Sequence, residues 1–428
     1  MAPQILTSIY PPLPKASHSN IFDFVSGQSS EHLADKVQFV RQDGKEWTHG
    51  QVIREARRLA WALRHRLGLQ PRQRFGVISP NHTMYPVLIF AAEIAGLVAA
   101  PINPALTVGE LAKSLAQASV DAVFTHPSCL ANARAAWVEA RGQLGRPTSA
   151  ADPSSGLWLL DDADELVQGD LGEQDVRSQL TASELETYRV ADPVNEVAFI
   201  MFSSGTSGSA KGVQITHSNV IHSVMALLAT HDDYFGQKDV QVGFLPFYHI
   251  FGLIKLMHHP FSLGMKVVVL PKFGLDIFCA KVEEYRATAA LVVPPVLLQL
   301  AKSPVPASYD MSSLQCVQCG AAPLSAELFE LLEARYPGLA VLNGYGLTES
   351  LPSVICSGPK GLPNSKGAAG RIAPGVEVRL VSEEGYDVGA DQGRDGPSRA
   401  TGQRERSNSS RRDGEETVFS PISPAAAA

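Results

Sequence analysis

Ser203-Ser204-Gly205-Thr206-Ser207-Gly208-Ser209-Ala210-Lys211-Gly212 is a run of residue types that could hold a phosphate. Small side chains let backbone N–H groups close around phosphoryl oxygens, the hydroxyls add donors or a magnesium contact, and Lys211 brings a movable positive charge. The spacing is not that of a Walker loop, which needs Gly-Lys-Ser/Thr after a fixed gap. A plain Ser/Gly turn with one lysine has the same composition, so the segment by itself leaves cradle and ordinary loop both open. Cys316 and Cys319 form a lone Cys-x-x-Cys with no second pair at zinc-ribbon spacing, and the flanking LQCVQCGAAPL reads as a strand running into a loop. Metal or redox chemistry is not the preferred reading there.

The elements that must carry these residues alternate regularly. Val52, Ala56, Leu59, Ala60, Leu63 and Leu67 recur at helical spacing between Thr48 and a stop at Gly68. A strand from Arg74 to Ser79, a helix over 84–96, a strand over 97–101, a helix over 109–118 and a strand from Asp121 to Thr125 follow. Val87 to Ile102 is the longest apolar stretch, but Glu93 interrupts it and Pro101 and Pro104 end it, so it reads as a buried helix passing into a strand, too short to span a bilayer. From about Ala140 to Val190 the chain turns polar, with only Leu157 to Leu160 strand-like, and reads as a surface excursion. Strands resume at Val197–Phe202, Val242–Leu245, Lys266–Leu270 and Ala289–Val293, which predicts a second wound sheet. Val376 to Val381 alternates as a strand of a smaller barrel would. The expected fold is α/β: two wound, mostly parallel sheets with flanking helices plus a partial small β-barrel.

With 428 residues, 45% of them apolar, the chain can bury a large core. Its formal charge of −7 and the lack of any Lys/Arg block give no footprint for nucleic acid or an anionic membrane, and favour a small-molecule role. Five scattered cysteines and the opening MAPQILTSIYPPLPK, which has early prolines and no apolar core, predict a reducing, intracellular compartment.

Several motifs, in order over about residues 20–390, resemble the AMP-forming acyl-CoA synthetases, the superfamily that also holds firefly luciferase and peptide-synthetase adenylation domains. They are PNHTMYPVLIFAAEIAGLVAAPINPALTVGEL, SSGTSGSAKGV, FLPFYHIFGL at 244–253, PKF at 271–273, VPP at 293–295, QCGAAPL at 318–324, NGYGLTES at 343–350 and GAAGRIAPGVEVRLV at 367–381. Within the superfamily the resemblance is to coumarate-CoA ligase-like enzymes. It implies ATP, Mg²⁺ and coenzyme A as cofactor and co-substrates, and a carboxylic acid converted to an acyl-adenylate and passed to CoA. It makes residues 203–208 and Lys211 the phosphate loop, with Thr206 also at the metal. Thr348 would offer a hydroxyl to phosphate and Glu349 a carboxylate to Mg²⁺, although a Thr-Glu pair after Tyr-Gly-Leu is also what a helix N-cap looks like. Asn343, Gly344 and Tyr345 would lie along adenine and the acyl-adenylate, and Gly320, Ala321 and Ala322 would wall the adenine side. Gly344 and Gly346 are expected to let the backbone approach closely. His249 falls between the acyl pocket and the thiol tunnel, and Lys272 at CoA phosphates. Phe251 stands where hydroxycinnamate enzymes often carry Tyr, which argues against a phenolic acid. With Pro294, Val296 and Leu297 it suggests an aryl or medium-length acyl group.

Beyond Gly389 the family's further strands, hinge and lid are not recognisable, and the last lysine is Lys366 where the family's lid supplies one to the reacting phosphate. The expectation is an adenylation domain over 1–390, incomplete at its end, a disordered polar tail over 391–428, and an activity impaired by truncation. A catalytically inactive nucleotide- or adenylate-binding module is the other reading. A P-loop NTPase is disfavoured by the loop spacing and by Ala210 before Lys211. By family the compartment is cytoplasmic or peroxisomal, although this chain ends in alanines and not in a peroxisomal tripeptide.

Overall fold

A computed structural model describes residues 5–27, 33–146, 156–160, 182–203, 210–231, 235–356 and 369–379. The chain opens with β1 (Ile5–Thr7), α1 (Ile21–Gly27), the hairpin β2 (Val37–Val40) and β3 (Glu46–Thr48), and α2 (His49–His65). Then come β4 (Arg74–Ile78), α3 (Met84–Ala95), β5 (Val98–Ile102), α4 (Val108–Gln117), β6 (Ala122–Thr125), α5 (Leu130–Gln143), β7 (Leu157–Leu159), β8 (Val197–Ser203), β9 (Lys211–Thr216) and α6 (His217–His231). The later elements are β10 (Val240–Gly243), α7 (Ile250–Gly252), α8 (His259–Leu263), β11 (Lys266–Val269), α9 (Leu275–Tyr285), β12 (Ala289–Val292), α10 (Pro294–Lys302), β13 (Cys316–Cys319), α11 (Ala326–Arg335), β14 (Ala340–Asn343), β15 (Ile355–Cys356), β16 (Arg371–Ile372) and β17 (Glu377–Arg379).

Two sheets result, ordered β7-β6-β4-β5-β8-β9 and β14-β13-β12-β10-β11-β2-β3. Each is parallel except for one antiparallel edge strand, β9 in the first and β3 in the second. The wound α/β class read from the alternation is therefore present. The Val197 strand is a correction: β8 pairs with β5 and belongs to the first sheet, while the second is completed from the N-terminal side by β2 beside β11. The expected partial barrel is represented by two short antiparallel pairs, β1 with β17 and β15 with β16, and no closed barrel forms among the described residues. In β17 only Val378 is buried, as the alternation predicts; residues 380 and 381 lie outside the described residues. Within the polar stretch, β7 joins the first sheet beside β6, so it is an edge strand and not part of a surface excursion. Residues 147–155, 161–181 and the tail from 380 onward fall outside the described residues.

Local chemistry fixes the helix starts. Thr48 caps α2: its hydroxyl accepts from the Gln51 N–H at 3.2 Å while the Gln51 side chain accepts from the Thr48 N–H at 2.7 Å. Thr107 and Glu110 repeat this reciprocal cap on α4. Cys316 and Cys319 stand three apart on β13 and so face opposite sides of the sheet, which prevents them from closing on one ion. Burial pushes the Cys319 thiol up to about 12, which makes it inert.

Helix α3 is buried along its whole length, packed between the layers in the same core cluster as α1, α2, β10 and the segments after it. A helix apolar all round belongs in such a place. Its one carboxylate, Glu93, meets His258 Nε2 at 2.6 Å, and His258 Nδ1 donates to the Leu253 carbonyl at 2.8 Å. Burial pushes the Glu93 carboxyl up, against the pull of His258. Removing one partner of such a pair strands the other in an apolar core. Glu93→Ala is therefore expected to lower the unfolding free energy by about 3–5 kcal/mol. Glu93→Gln keeps a donor to His258 and should cost at most about 1.5 kcal/mol. Urea midpoints of the two variants would check this ordering, and equal losses would contradict it.

Candidate functional site

Open parallel sheets bind ligands beyond the carboxyl ends of their strands, and the motif residues gather at that edge of the second sheet. Strands β13 and β14 run side by side with Cys319 opposite Asn343, so Gly320 and Gly344 leave neighbouring strands together. Tyr345 is held by Ile355 through paired backbone hydrogen bonds of 3.0 Å, which fixes the Asn343-Gly344-Tyr345 segment. The two glycines expected to allow close approach differ. A Cβ on Gly346 would land 1.5 Å from the Pro352 carbonyl oxygen, whereas one on Gly344 would sit 3.4 Å from the Ile355 carbonyl oxygen, an ordinary contact.

Thr348–Ser350 form one 3₁₀ turn, closed by the Ser350 hydroxyl accepting from the Leu347 N–H at 2.8 Å. Leu347, not Thr348, occupies the cap position, so the helix N-cap reading of Thr348-Glu349 does not describe this turn. Leu351 follows at φ 51°, and its carbonyl accepts from the Ser223 hydroxyl of α6. The turn packs against β8 and β9 and so reaches the hairpin that carries the Ser/Gly-rich run. There Ser203 and Lys211 are cross-strand partners at the hairpin mouth. Ser204, Gly205, Thr206, Ser207 and Gly208 lie in the connection, outside the described residues. Lys211 is exposed, and the side chains of Lys211, Thr348 and Glu349 have no hydrogen-bond or ion-pair partner among the described residues.

The chain leaving β10 is pinned by Asn81, a residue the motif reading passed over. Its amide donates to the Leu245 carbonyl at 2.8 Å and to the Leu270 carbonyl at 3.3 Å, and its oxygen accepts from the Phe247 N–H at 2.8 Å. One buried side chain thus ties the exits of β10 and β11 to the first sheet. His249 then caps α7, its Nδ1 accepting from the Phe251 N–H at 3.2 Å. The proton must therefore ride on Nε2, and crowding by the surrounding walls holds the imidazole below its usual pKa although its edge is open to solvent. A neutral ring that can donate from Nε2 is the outcome. Gly252 makes the tight turn possible, since a Cβ there would fall 2.1 Å from the Pro246 carbonyl oxygen. Phe251 turns back against Gly320, 3.3 Å from where that glycine's Cβ would be. Ala321 and Ala322 are exposed beside it, and Ala321 adopts φ 68°, a left-handed backbone that costs an L-residue about 1–2 kcal/mol. Lys272 stands exposed just past β11, on the same carboxyl edge.

A family profile described as AMP-binding enzyme matches residues 27–396. The chain belongs to that family. It is 31% identical over 365 residues to a probable 4-coumarate–CoA ligase 1 of Dictyostelium discoideum, covering 83% of this chain and 64% of that protein. It is 30% identical to a 4-coumarate–CoA ligase-like protein of Arabidopsis thaliana, covering 89% of this chain and 66% of the relative. The chain thus spans just under two thirds of the length of these relatives. Among solved structures, ATP-bound MatB from Rhodopseudomonas palustris superposes with a TM-score of 0.72 at 25% identity, covering 87% of this chain and 68% of the other. The resemblance read from the motifs, to adenylate-forming acyl-CoA ligases, is borne out.

The AMP-binding family implies a divalent cation, and the donor set suits one. Glu349 is a half-buried carboxylate without a partner among the described residues, and Mg²⁺ typically takes one or two carboxylates and completes its shell with water and phosphate oxygens. No cluster of three or more His, Cys, Asp or Glu occurs among the described residues, so the remaining oxygens would have to come from elsewhere. The contrast between the glycines gives a direct check. Gly346→Ala should destabilise the protein by about 2 kcal/mol or more, because backbone atoms must move. Gly344→Ala should stay within about 1 kcal/mol. Thermal unfolding of both variants measures this, and a tolerated Gly346→Ala would contradict the described path of the chain.

Proposed function

We propose that this protein joins a carboxylic acid to the α-phosphorus of ATP, releasing pyrophosphate, and passes the acyl group to coenzyme A, with an aryl or medium-length acid as substrate. What carries the reading is the convergence of the Ser203/Lys211 hairpin mouth with the Thr348–Ser350 turn, which brings an exposed cation and a partnerless carboxylate to neighbouring chain segments. Family membership and relatives named as CoA ligases support the reaction class.

Two anions must meet for this bond to form, so the site has to gather positive charge and hydrogen-bond donors around the phosphoryl oxygens. Lys211 and the backbone of residues 203–208 would hold the phosphates, with the Thr348 hydroxyl as a further donor. A cation held by Glu349, with Thr206 as a second oxygen ligand, would supply charge neutralisation at those oxygens. Asn343, Gly344, Tyr345 and the Gly320-Ala321-Ala322 strip would face the nucleotide. Neutral His249, donating through Nε2, would orient the acid carboxylate, and Lys272 would take a CoA phosphate. Phe251, Pro294, Val296 and Leu297 give the acyl group apolar company.

The full chain should bind ATP with Mg²⁺ and release pyrophosphate only when an acid is present. Lys211→Ala and Glu349→Gln are each expected to lower the acid-dependent rate about a hundredfold. Nucleotide affinity, read by calorimetry alongside, should fall for Lys211→Ala. Acid-independent formation of ADP and phosphate, or variants that match the parent in both measurements, would overturn the assignment.

A further inference from the structure

Behind the wall formed by Gly320 and Gly344 lies a buried cation that the reaction as described does not use. Lys255 sits on a π-helical turn, Leu253–His258, that continues α7. It is 5% exposed, and its Nζ donates to Gln318 Oε1 at 3.0 Å. An ammonium carries three N–H donors, and no carboxylate pairs with this one among the described residues. Neighbouring groups do not cancel its charge: burial raises the Cys356 thiol, which stays protonated, and drives His259 down to about 3, which stays neutral. Burial also draws Lys255 down to about 8, so at neutral pH it still bears its proton. Isolated buried charge of this kind is costly unless something arrives to pair with it.

The surroundings suggest what arrives. Lys255, Gln318, Gln241, His259, Leu227, Phe235 and Leu291 enclose a space of about 10 Å³, room for one water. Gln241, 1% exposed, lines this space, and its amide oxygen has no hydrogen-bond partner among the described residues. Turned end for end, the same amide would offer an N–H donor. This polar cell is close to the candidate site on two sides. The Phe251 ring separates it from Gly320, with Nζ 5.4 Å from the ring centroid, and Gln318 Nε2 lies 4.0 Å from the Cβ position of Gly344. Along the helix from His249 to Lys255 the rise is about 9 Å, the reach of a short acyl chain.

We propose that Lys255, with Gln318 and Gln241, receives the distal carboxylate of a dicarboxylic acid whose other carboxylate reacts. The inference rests on the acid-activating reading above and narrows its substrate class. The distal carboxylate moves the Phe251 ring aside to enter this space and forms a charge-assisted hydrogen bond with the Lys255 ammonium. Gln241 turns its amide to supply a second donor. A monocarboxylic acid leaves the ammonium unpaired.

The test uses the full chain with AMP bound and calorimetric titration of acids matched in length: the α,ω-dicarboxylates from glutarate to suberate, the corresponding monocarboxylates, and the ω-hydroxy acids. At least one dicarboxylate should bind more than about tenfold tighter than its monocarboxylate and hydroxy counterparts. Lys255→Met should erase that preference and Lys255→Arg should keep part of it, with thermal unfolding and AMP titration controlling for fold. Dicarboxylates no tighter than monocarboxylates on the parent protein, or a preference that survives Lys255→Met, would overturn the proposal. A preference for the hydroxy acids would overturn it too, because charge would then not be what is read. Should Lys255→Met fail to fold, the acid series on the parent protein decides alone. AMP and ATP that fail to bind the parent protein would remove the reading on which the proposal rests, and the proposal with it.

Discussion

A helix with no wet face cannot send its polar groups to solvent, and α3 is such a helix. Every residue from Met84 to Ala95 is buried, so the layers on either side must provide whatever its polar atoms need. Asn81, just before it, spends its side chain on the carbonyls of Leu245 and Leu270 and the N–H of Phe247. Glu93, near its end, finds His258 on the turn that also carries Lys255. These two demands fasten the segment from Phe244 to His258 at both ends. The position of His249 and the depth of Lys255 follow from satisfying a buried helix, before any ligand is considered.

The same constraint separates structural polar groups from available ones. Away from the candidate site many polar side chains are engaged with the fold: Thr48 with Gln51, Arg72 with Glu196, Asn20 with the Glu93 carbonyl. At the carboxyl edge of the second sheet the pattern changes. Lys211, Thr348 and Glu349 have no partner among the described residues, and the His249 ring commits Nδ1 to a backbone cap while keeping Nε2 free. Groups that a free protein leaves unsatisfied in one region are the ones a ligand can satisfy, since each can contribute a bond without first breaking another.

Long periodic segments were readable because periodicity is local. The run from Val52 to Leu67 and the apolar stretch broken by Glu93 stand within a residue or two of their predicted bounds. What escaped was set by distant contacts or by brevity. The β2–β3 pair is only four and three residues long, although Asp43-Gly44 between them, with Gly44 at φ 95°, is the sort of turn that marks a hairpin. Assigning the Val197 strand to the second sheet followed sequence order, whereas its pairing with β5 reaches back to a strand far earlier in the chain. At the site, motif residues were found by their company. Asn81, though inside a quoted motif, and Lys255, a single polar residue in an apolar run, were not singled out, because their meaning comes from partners such as Leu245 and Gln318, far along the chain. Gly344 and Gly346 looked equivalent in sequence, and only the path of Pro352 tells them apart.

Left-handed backbone also occurs at this edge. Among the described residues, five non-glycine residues have positive φ: Arg72, Ser119, Arg286, Ala321 and Leu351. Arg286 ends α9 and Ser119 follows α4 directly, where a left-handed residue terminates a helix as a matter of course. Leu351 likewise ends the 3₁₀ turn Thr348–Ser350, and Arg72 lies in the turn before β4, whereas Ala321 follows a strand. Ala321 follows β13 and Leu351 the 3₁₀ turn beyond β14, so a left-handed residue stands on each of the two chain segments that leave the paired strands. At about 1–3 kcal/mol each, such residues persist only where the surroundings over-determine them. The surroundings here are the Ser223 contact that holds the Leu351 carbonyl and the adjoining strand that anchors Ala321. The two chain segments that carry these residues also carry Gly320 and Gly344, so the backbone there is fixed by contacts from β13, β14 and α6 and not by local preference alone.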